Sequence, residues 1–151
     1  MRRLSGLLLA GAMLVLPAFT HATFAQAAPQ KFTIEGDAAI LMVAVNPAKT
    51  ADYEQVLNKL KEVLAKSEAA EAKQQAAGWK VIRTKTPHSD GSVLYMHMIT
   101  PVAGADYSVL QSIYAVVKDP SEQKALYDLY VGTGSKNLTL ISGSVVVDLG
   151  K

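Results

Sequence analysis

The sequence predicts an α+β domain built around one antiparallel sheet. Short apolar or alternating segments have the length of strands, longer segments repeat their apolar residues at helical spacing, and turn residues separate the two kinds. The segments follow the order β-α-β-β-α-β, without an internal repeat, linker or low-complexity block. We therefore expect residues 38–151 to form a single domain.

The first strand is predicted over residues 38–45, a continuous apolar run that Asn46-Pro47 ends. Thr50 is the expected N-cap of the first helix. The apolar face of that helix repeats at helical spacing and comprises Tyr53, Val56, Leu57, Leu60, Val63 and Leu64. An alanine-rich continuation over residues 67–77 extends it, and Gly78 is expected to end it.

An antiparallel hairpin is predicted next, from strand-like runs at residues 79–85 and 93–100. The turn between them contains Asp90-Gly91, a pair typical of hairpin turns. The earlier run carries several basic residues, which favours an edge position, and the later run is apolar on both faces, which favours the centre of the sheet.

The second half of the chain repeats the helix-then-strand pattern. Asp106 is the expected cap of the second helix, and Asp119-Pro120 is expected to restart it with Glu122 in a capping-box position. Residues 137–142 then read as a strand. Residues 144–149 read as a possible extra strand beyond Gly143.

This order of elements is the ferredoxin-like arrangement, with an antiparallel sheet and helices on one face. The first strand is nevertheless apolar on both faces, with Leu41 and Val43 on one and Ile40 and Met42 on the other. Soluble monomers rarely leave such a face exposed. We expect a homodimer in which the same face of a second copy covers it. The alternative cover is the C-terminal segment or the N-terminal lead-in of the same chain.

The pattern over about residues 38–149 resembles the dimeric α+β barrel superfamily, which includes the antibiotic-biosynthesis monooxygenase-like proteins. Residues 74–81 (QQAAGWKV) with 104–107 (GADY) are also similar to uncharacterised exported bacterial proteins. The first resemblance implies a barrel formed by two copies. By analogy of fold it also implies an alternative function as a cofactor-independent monooxygenase or isomerase, or as a haem-binding enzyme. The second resemblance implies no activity.

Residues 1–27 have the features of a secretory signal peptide. Arg2 and Arg3 precede an apolar run at residues 4–16, and Ala25-Gln26-Ala27 fits the cleavage signal. The run is shorter than the roughly 20 residues of a membrane span. We expect cleavage, a periplasmic or secreted protein, and no stable membrane anchor. Residues 28–37 then form a polar lead-in, expected to be loosely ordered.

The composition narrows the classes of partner and chemistry. The chain has 15 Lys and Arg against 13 Asp and Glu, and removal of Arg2 and Arg3 with the leader balances the two signs. With no basic cluster, nucleic acid is not an expected partner. The absence of cysteine excludes thiol chemistry and cysteine zinc sites. No motif indicates another metal or a cofactor.

Four residues are candidates for binding a ligand: His97, Tyr95, Trp79 and Arg83. His97 lies in a central strand, either as a proton carrier in a pocket or as a neutral core histidine. Trp79 and Tyr95 line an aromatic pocket or belong to the core. Arg83 shares a face with Trp79 and either holds an anion or lies at the solvent rim.

No residue is predicted to be catalytic. His88-Ser89-Asp90 has the residue types of a triad, but adjacent turn residues point in different directions and cannot form its hydrogen bonds. We therefore expect a non-catalytic exported dimer, which either binds a small apolar ligand between its sheets or has a purely structural role. The enzyme functions implied by the resemblance are the alternative.

Overall fold

The computed structural model describes residues 30–150, an α+β domain with four strands and four α-helices. The strands are β1 Ala38–Val45, β2 Trp79–Arg83, β3 Val93–Ile99 and β4 Lys136–Gly143. The helices are α1 Thr50–Lys66, α2 Ala70–Gly78, α3 Val109–Val116 and α4 Pro120–Gly132. The predicted signal peptide, residues 1–27, lies outside the described residues. No helix in the described part has the length and apolar content needed to cross a bilayer.

The four strands form one antiparallel sheet in the order β2-β3-β1-β4. Strands β1 and β3 are central and β2 is at an edge, as their apolar and charged residues predict. Leu41 of β1 lies opposite His97 of β3, and Val43 lies opposite Tyr95. On the other side of β3, Val81 of β2 lies opposite His97. These pairs place all five side chains on one face of the sheet.

The helices cover that face. Tyr53 and Val56 of α1 are fully buried, as is Ile113 of α3. Tyr53 packs against a cluster of sheet residues that includes Leu41, while Val56 packs with Ile113 and with Leu126 of α4. The apolar stripe predicted for the first helix is therefore the layer that separates the sheet from α3 and α4.

Helix α1 begins without the predicted Thr50 cap. The side chain of Asn46 accepts a hydrogen bond from the backbone N–H of Ala48 at 3.0 Å, which starts a short 3-10 turn over Pro47–Lys49. That turn runs directly into α1, so Thr50 is the first helical residue rather than the residue before it. The Asn46-Pro47 pair ends β1 and starts this turn as well.

The two aspartates of the second half differ in role. Asp119 caps α4 as predicted, accepting a hydrogen bond from Glu122 N at 2.8 Å. Asp106 lies two residues before the N-cap of α3, which is Ser108. Its Oδ1 accepts from Ser108 N at 2.8 Å and from Phe32 N at 3.1 Å. Asp106 therefore fastens the lead-in to the start of α3 instead of capping that helix.

The second half of the lead-in is anchored, where the sequence suggested a loose segment. Besides the bond from Phe32 N, the carbonyl of Phe32 accepts from Tyr107 N at 2.8 Å. Ile34 is 6% exposed and packs against Ala39 and Ile99 on the helix-covered side of the sheet. A composition-based prediction of disorder missed these contacts because they involve residues about 70 positions away.

The predicted strand at residues 144–149 is absent from the structure. Val146 and Leu149 are 93% and 95% exposed. A strand there would need a tight reversal after Gly143 to pair with β4. The segment instead contacts Asp37, whose backbone N–H donates to the Gly143 carbonyl at 2.9 Å and whose carboxylate accepts from Val145 N at 3.0 Å.

The face of the sheet opposite the helices is uncovered by the described residues. Its exposed apolar side chains are Ile40, Ile82, Met98 and Ile141. Met42, Leu94 and Met96 lie among them and are half-buried. We call these seven side chains the open face. The sequence suggested that the lead-in or the C-terminal segment of the same chain could cover this face. Neither does, because the lead-in packs on the other side of the sheet and the C-terminal segment is exposed.

Candidate functional site

His97 is the centre of a buried hydrogen-bonded group on the helix-covered face. Its side chain is on the inner face of β3 and the residue is 1% exposed. The indole Nε1 of Trp79 donates to His97 Nδ1 at 3.0 Å. On the other side of the ring, His97 Nε2 lies 2.8 Å from the hydroxyl of Tyr53. Both ring nitrogens are therefore in hydrogen bonds with aromatic side chains.

These partners determine where the imidazole carries its hydrogen. An indole nitrogen can only donate, so His97 Nδ1 must present a lone pair to Trp79. A neutral imidazole has one hydrogen, which must then be on Nε2. A charged imidazolium would set a second N–H against the indole N–H, so the geometry favours the neutral form.

Burial favours the same charge state. Removal from water lowers the pKa of His97 to about 4, because the protonated ring loses its hydration. Burial, reinforced by the nearby Tyr130 and Tyr95, also raises the pKa of Tyr53 well above its ordinary value. Near neutral pH both groups are uncharged, and of the two readings of His97 the structure fits the neutral, hydrogen-bonded one.

Tyr95 continues the group toward the surface. Its ring lies 4.8 Å from that of Tyr53 between centroids, and its hydroxyl donates to Glu54 Oε1 at 2.6 Å. Burial and this bond raise the pKa of Tyr95 to about 12. Arg83 Nη1 lies 3.3 Å from the same Glu54 oxygen, with its side chain 52% exposed. Arg83 is thus at the solvent rim, paired to a carboxylate.

All four predicted site residues therefore belong to one continuous group, which runs from Trp79 through His97 and Tyr95 to Arg83. They lie on the face covered by the helices. A ligand held by them would sit beneath the helices, and not in the space between two sheets where the sequence analysis placed it.

Two hollows border this group. The smaller, about 360 Å³, lies between β1, the start of α3 and the end of α4. We call it the Tyr53 cavity. Its walls are mostly apolar and aromatic: Phe32, Leu41, Val43, Tyr53, His97, Tyr107, Val109, Leu110 and Tyr130. Ser108, Gln111 and Asn137 complete its lining.

The larger hollow is a groove of about 450 Å³ between α1 and β2. Trp79, Tyr95 and Arg83 line it, with Leu57 and Leu64 among its apolar residues. Two of its charged side chains, Arg83 and Glu54, form an ion pair with each other at the surface. The Tyr53 cavity is the stronger candidate site, because its wall contains Tyr53 and His97, which are buried and hydrogen-bonded to each other.

Sequence reasoning missed two members of the group, Tyr53 and Glu54. Tyr53 was counted only as part of the apolar stripe of α1. The available signal was a phenol, with a polar atom to satisfy, at the first position of a core-facing stripe. Glu54 follows it and faces the edge strand, a contact that depends on how α1 crosses the sheet and that no local pattern encodes.

The remaining motifs do not form a site. His88 Nδ1 is 3.1 Å from Asp90 Oδ1, and the same oxygen accepts from Ser92 N at 2.9 Å. The bond from Ser92 is the main reason that the pKa of Asp90 falls to about 2. These contacts shape the hairpin turn, and Ser89 is not part of them. Among residues 30–150, no group of three or more potential metal ligands occurs.

Comparisons of the chain with protein-family models, with curated proteins and with solved structures gave no match.

Proposed function

We propose that this chain is a non-catalytic ferredoxin-like domain that binds a small apolar molecule in the Tyr53 cavity and acts as a homodimer. The observation that carries the proposal is the fully buried Tyr53–His97 pair in the wall of an apolar cavity of about 360 Å³. That volume is within the range of small-molecule sites, which combine apolar walls with a few placed polar groups.

The protonation states argue against acid–base catalysis. A general acid or base works best with a pKa near the operating pH. His97 has its pKa lowered to about 4, and burial moves the pKa of Tyr53 away from neutrality in the opposite direction. Ligation of a haem iron would require one ring nitrogen of His97 to leave its present partner, Trp79 or Tyr53. Binding without turnover is the function that this arrangement favours.

The open face supports the homodimer. At about 4.8 Å between strands and 3.3 Å per residue, a four-stranded sheet of this length presents roughly 400 Å² in projection. Specific interfaces bury about 500 Å² or more of accessible surface per partner. The open face is therefore of the right order to be an interface, and at about 25 cal/mol per Å² its burial would contribute on the order of 10 kcal/mol before the costs of association. A second copy related by a two-fold axis would present the same surface, so the two open faces would pack against each other, as in a dimeric α+β barrel.

The leader-like sequence at residues 1–27 supports a function outside the cytoplasm. A basic start, a short apolar run and an A-x-A signal at residues 25–27 support export to the periplasm or beyond. Comparing the mass of the protein recovered from that compartment with that of the full chain would test the cleavage.

A titration with the fluorescent apolar probe N-phenyl-1-naphthylamine tests the ligand site. We expect saturable binding of one probe per chain. Leu110 lines the Tyr53 cavity and is half-buried, so Leu110→Trp should fill the cavity and abolish binding. The matched control is Leu149→Trp, at a residue that is 95% exposed, which should bind as the wild type does.

The two possible failures of this experiment are distinct. Absence of saturable binding to the wild type would refute a ligand-binding function for the cavity. Undiminished binding to Leu110→Trp would place the probe elsewhere, for example on the open face, and would refute the assigned site.

A further inference from the structure

The hydroxyl group of Tyr53 has a hydrogen with no acceptor in the described part of the chain. Its oxygen accepts the hydrogen that His97 carries on Nε2, since the indole of Trp79 fixes that tautomer. The phenol's own hydrogen must then point away from His97. Within residues 30–150, His97 is the only hydrogen-bond partner of this hydroxyl.

The side chain that carries this donor is buried. Tyr53 is 0% exposed, and its neighbours on the sheet include the apolar Leu41 and Val43. The space beside it that can admit another molecule is the Tyr53 cavity, which its side chain lines. A buried donor without an acceptor is costly, so a group that accepts its hydrogen bond gains that free energy back.

We propose that the ligand of the Tyr53 cavity is an apolar molecule with one hydrogen-bond acceptor, such as a ketone or ether oxygen, which accepts from the Tyr53 hydroxyl. This inference rests on the proposed ligand-binding function and narrows it to a chemical class. The donors then run in one direction, from Trp79 to His97, from His97 to Tyr53, and from Tyr53 to the ligand. Ligands that offer only a donor at this point are disfavoured, because two donors would face each other.

The direction of this series of hydrogen bonds also defines the role of His97. It touches no ligand through its hydrogen and acts as a positioning residue, since its Nε2–H occupies one lone pair of the phenol and orients the O–H. Consecutive hydrogen bonds polarise one another, so the strength of Tyr53 as a donor depends on a neutral His97 and on the hydrogen bond from Trp79 to that histidine.

The test compares two probes of nearly identical shape, 1-indanone and indane, which differ by a carbonyl in place of a methylene. Binding to the wild type, to Tyr53→Phe and to Tyr127→Phe is measured by calorimetry on the folded protein. Tyr127 is 51% exposed on α4 and serves as the matched tyrosine-to-phenylalanine control. Thermal unfolding of each variant verifies that it is folded.

We expect the wild type and Tyr127→Phe to bind 1-indanone about tenfold more tightly than indane, a ratio typical of one buried hydrogen bond. Tyr53→Phe should bind the two probes equally, with its affinity for indane retained. The infrared carbonyl band of bound 1-indanone should lie at lower frequency in the wild type than in Tyr53→Phe, a signature that a purely structural role of Tyr53 would not produce.

Each of the other possible results would refute one specific part of the proposal. If both probes bind the wild type equally, ligand binding stands and the acceptor class is refuted. If the preference for 1-indanone persists in Tyr53→Phe, another group is the donor and the inference fails. If neither probe binds, the proposed function fails and the inference falls with it.

Discussion

The indole nitrogen of Trp79 donates to Nδ1 of His97 at 3.0 Å, and this bond fixes the direction of the hydrogen bond between His97 and Tyr53. Trp79 is the only tryptophan in the chain, and it begins β2 directly after α2 ends at Gly78. The close approach of Gly78 to Thr100 leaves no room for a Cβ, which would lie 2.9 Å from the Thr100 carbonyl oxygen. A glycine at the end of α2 therefore permits this close approach immediately before Trp79.

Replacement of Trp79 by phenylalanine should allow His97 to adopt both neutral tautomers. Without the indole donor, Nδ1 becomes a buried acceptor with no partner, and the free energy of unfolding should fall by about 2 kcal/mol. Imidazole ¹⁵N shifts should change from those of a pure Nε2–H form to those of a tautomer mixture. Tyr114→Phe, which removes a hydroxyl that donates to Gln123 O at 3.2 Å, should leave these shifts unchanged. A wild-type spectrum with the hydrogen on Nδ1 would contradict the assignment.

The free energy of unfolding should fall as the pH is lowered between the pKa values of His97 in the unfolded and in the folded chain. In the unfolded chain a histidine titrates near its ordinary pKa of about 6.5, whereas burial lowers the pKa of His97 to about 4 in the folded chain. The unfolded state therefore binds the proton first, and the contribution is fully present above about pH 6.5 and lost toward pH 4. Between pH 7 and 4.5 we expect a loss of about 2 kcal/mol from this residue.

Urea unfolding of His97→Gln and His88→Gln isolates this contribution. The wild type should lose about 2 kcal/mol more than His97→Gln over that interval. His88→Gln, at a histidine of the hairpin turn, should keep the wild-type dependence. Equal slopes for the wild type and His97→Gln would mean that His97 is protonated as readily in the folded chain as in the unfolded one.

A charge on the open face should dissociate the homodimer. Ile40 lies in the central strand β1 and is 37% exposed in the single chain, so Ile40→Lys would place an ammonium group at the middle of the proposed interface. We expect sedimentation to give a dimer for the wild type at micromolar concentration and a monomer for Ile40→Lys. Val131→Lys, on α4 and 55% exposed, should remain a dimer. A monomeric wild type would refute the dimer outright.

Local sequence patterns predicted most strands and helices of this fold, because the spacing of apolar residues in each segment indicates which of its faces is buried. Apolar residues on both parities placed β1 and β3 in the centre, and the basic residues of β2 placed it at an edge. Two of the differences involve contacts between distant parts of the chain. Asp106 anchors the lead-in, and Asp37 holds the segment after Gly143 at Val145.

The candidate site was predicted in part for a related reason. Alternation put Trp79 with Arg83 on one face of β2 and Tyr95 with His97 on one face of β3, and the pairing of the two strands brings these to the same face of the sheet. Alternation gave their shared face but not their partners. Tyr53 reaches His97 only because α1 crosses over β3, and that crossing is set by packing rather than by a motif.

The anchored lead-in bears on how the chain can be processed. Phe32 forms part of the wall of the Tyr53 cavity and is held by backbone bonds to Asp106 and Tyr107. The predicted cleavage after Ala27 would leave four residues ahead of Phe32. Trimming of the new amino terminus by five residues would then remove Phe32 from the wall of the Tyr53 cavity, so the proposed ligand site would require that this end of the chain stay intact.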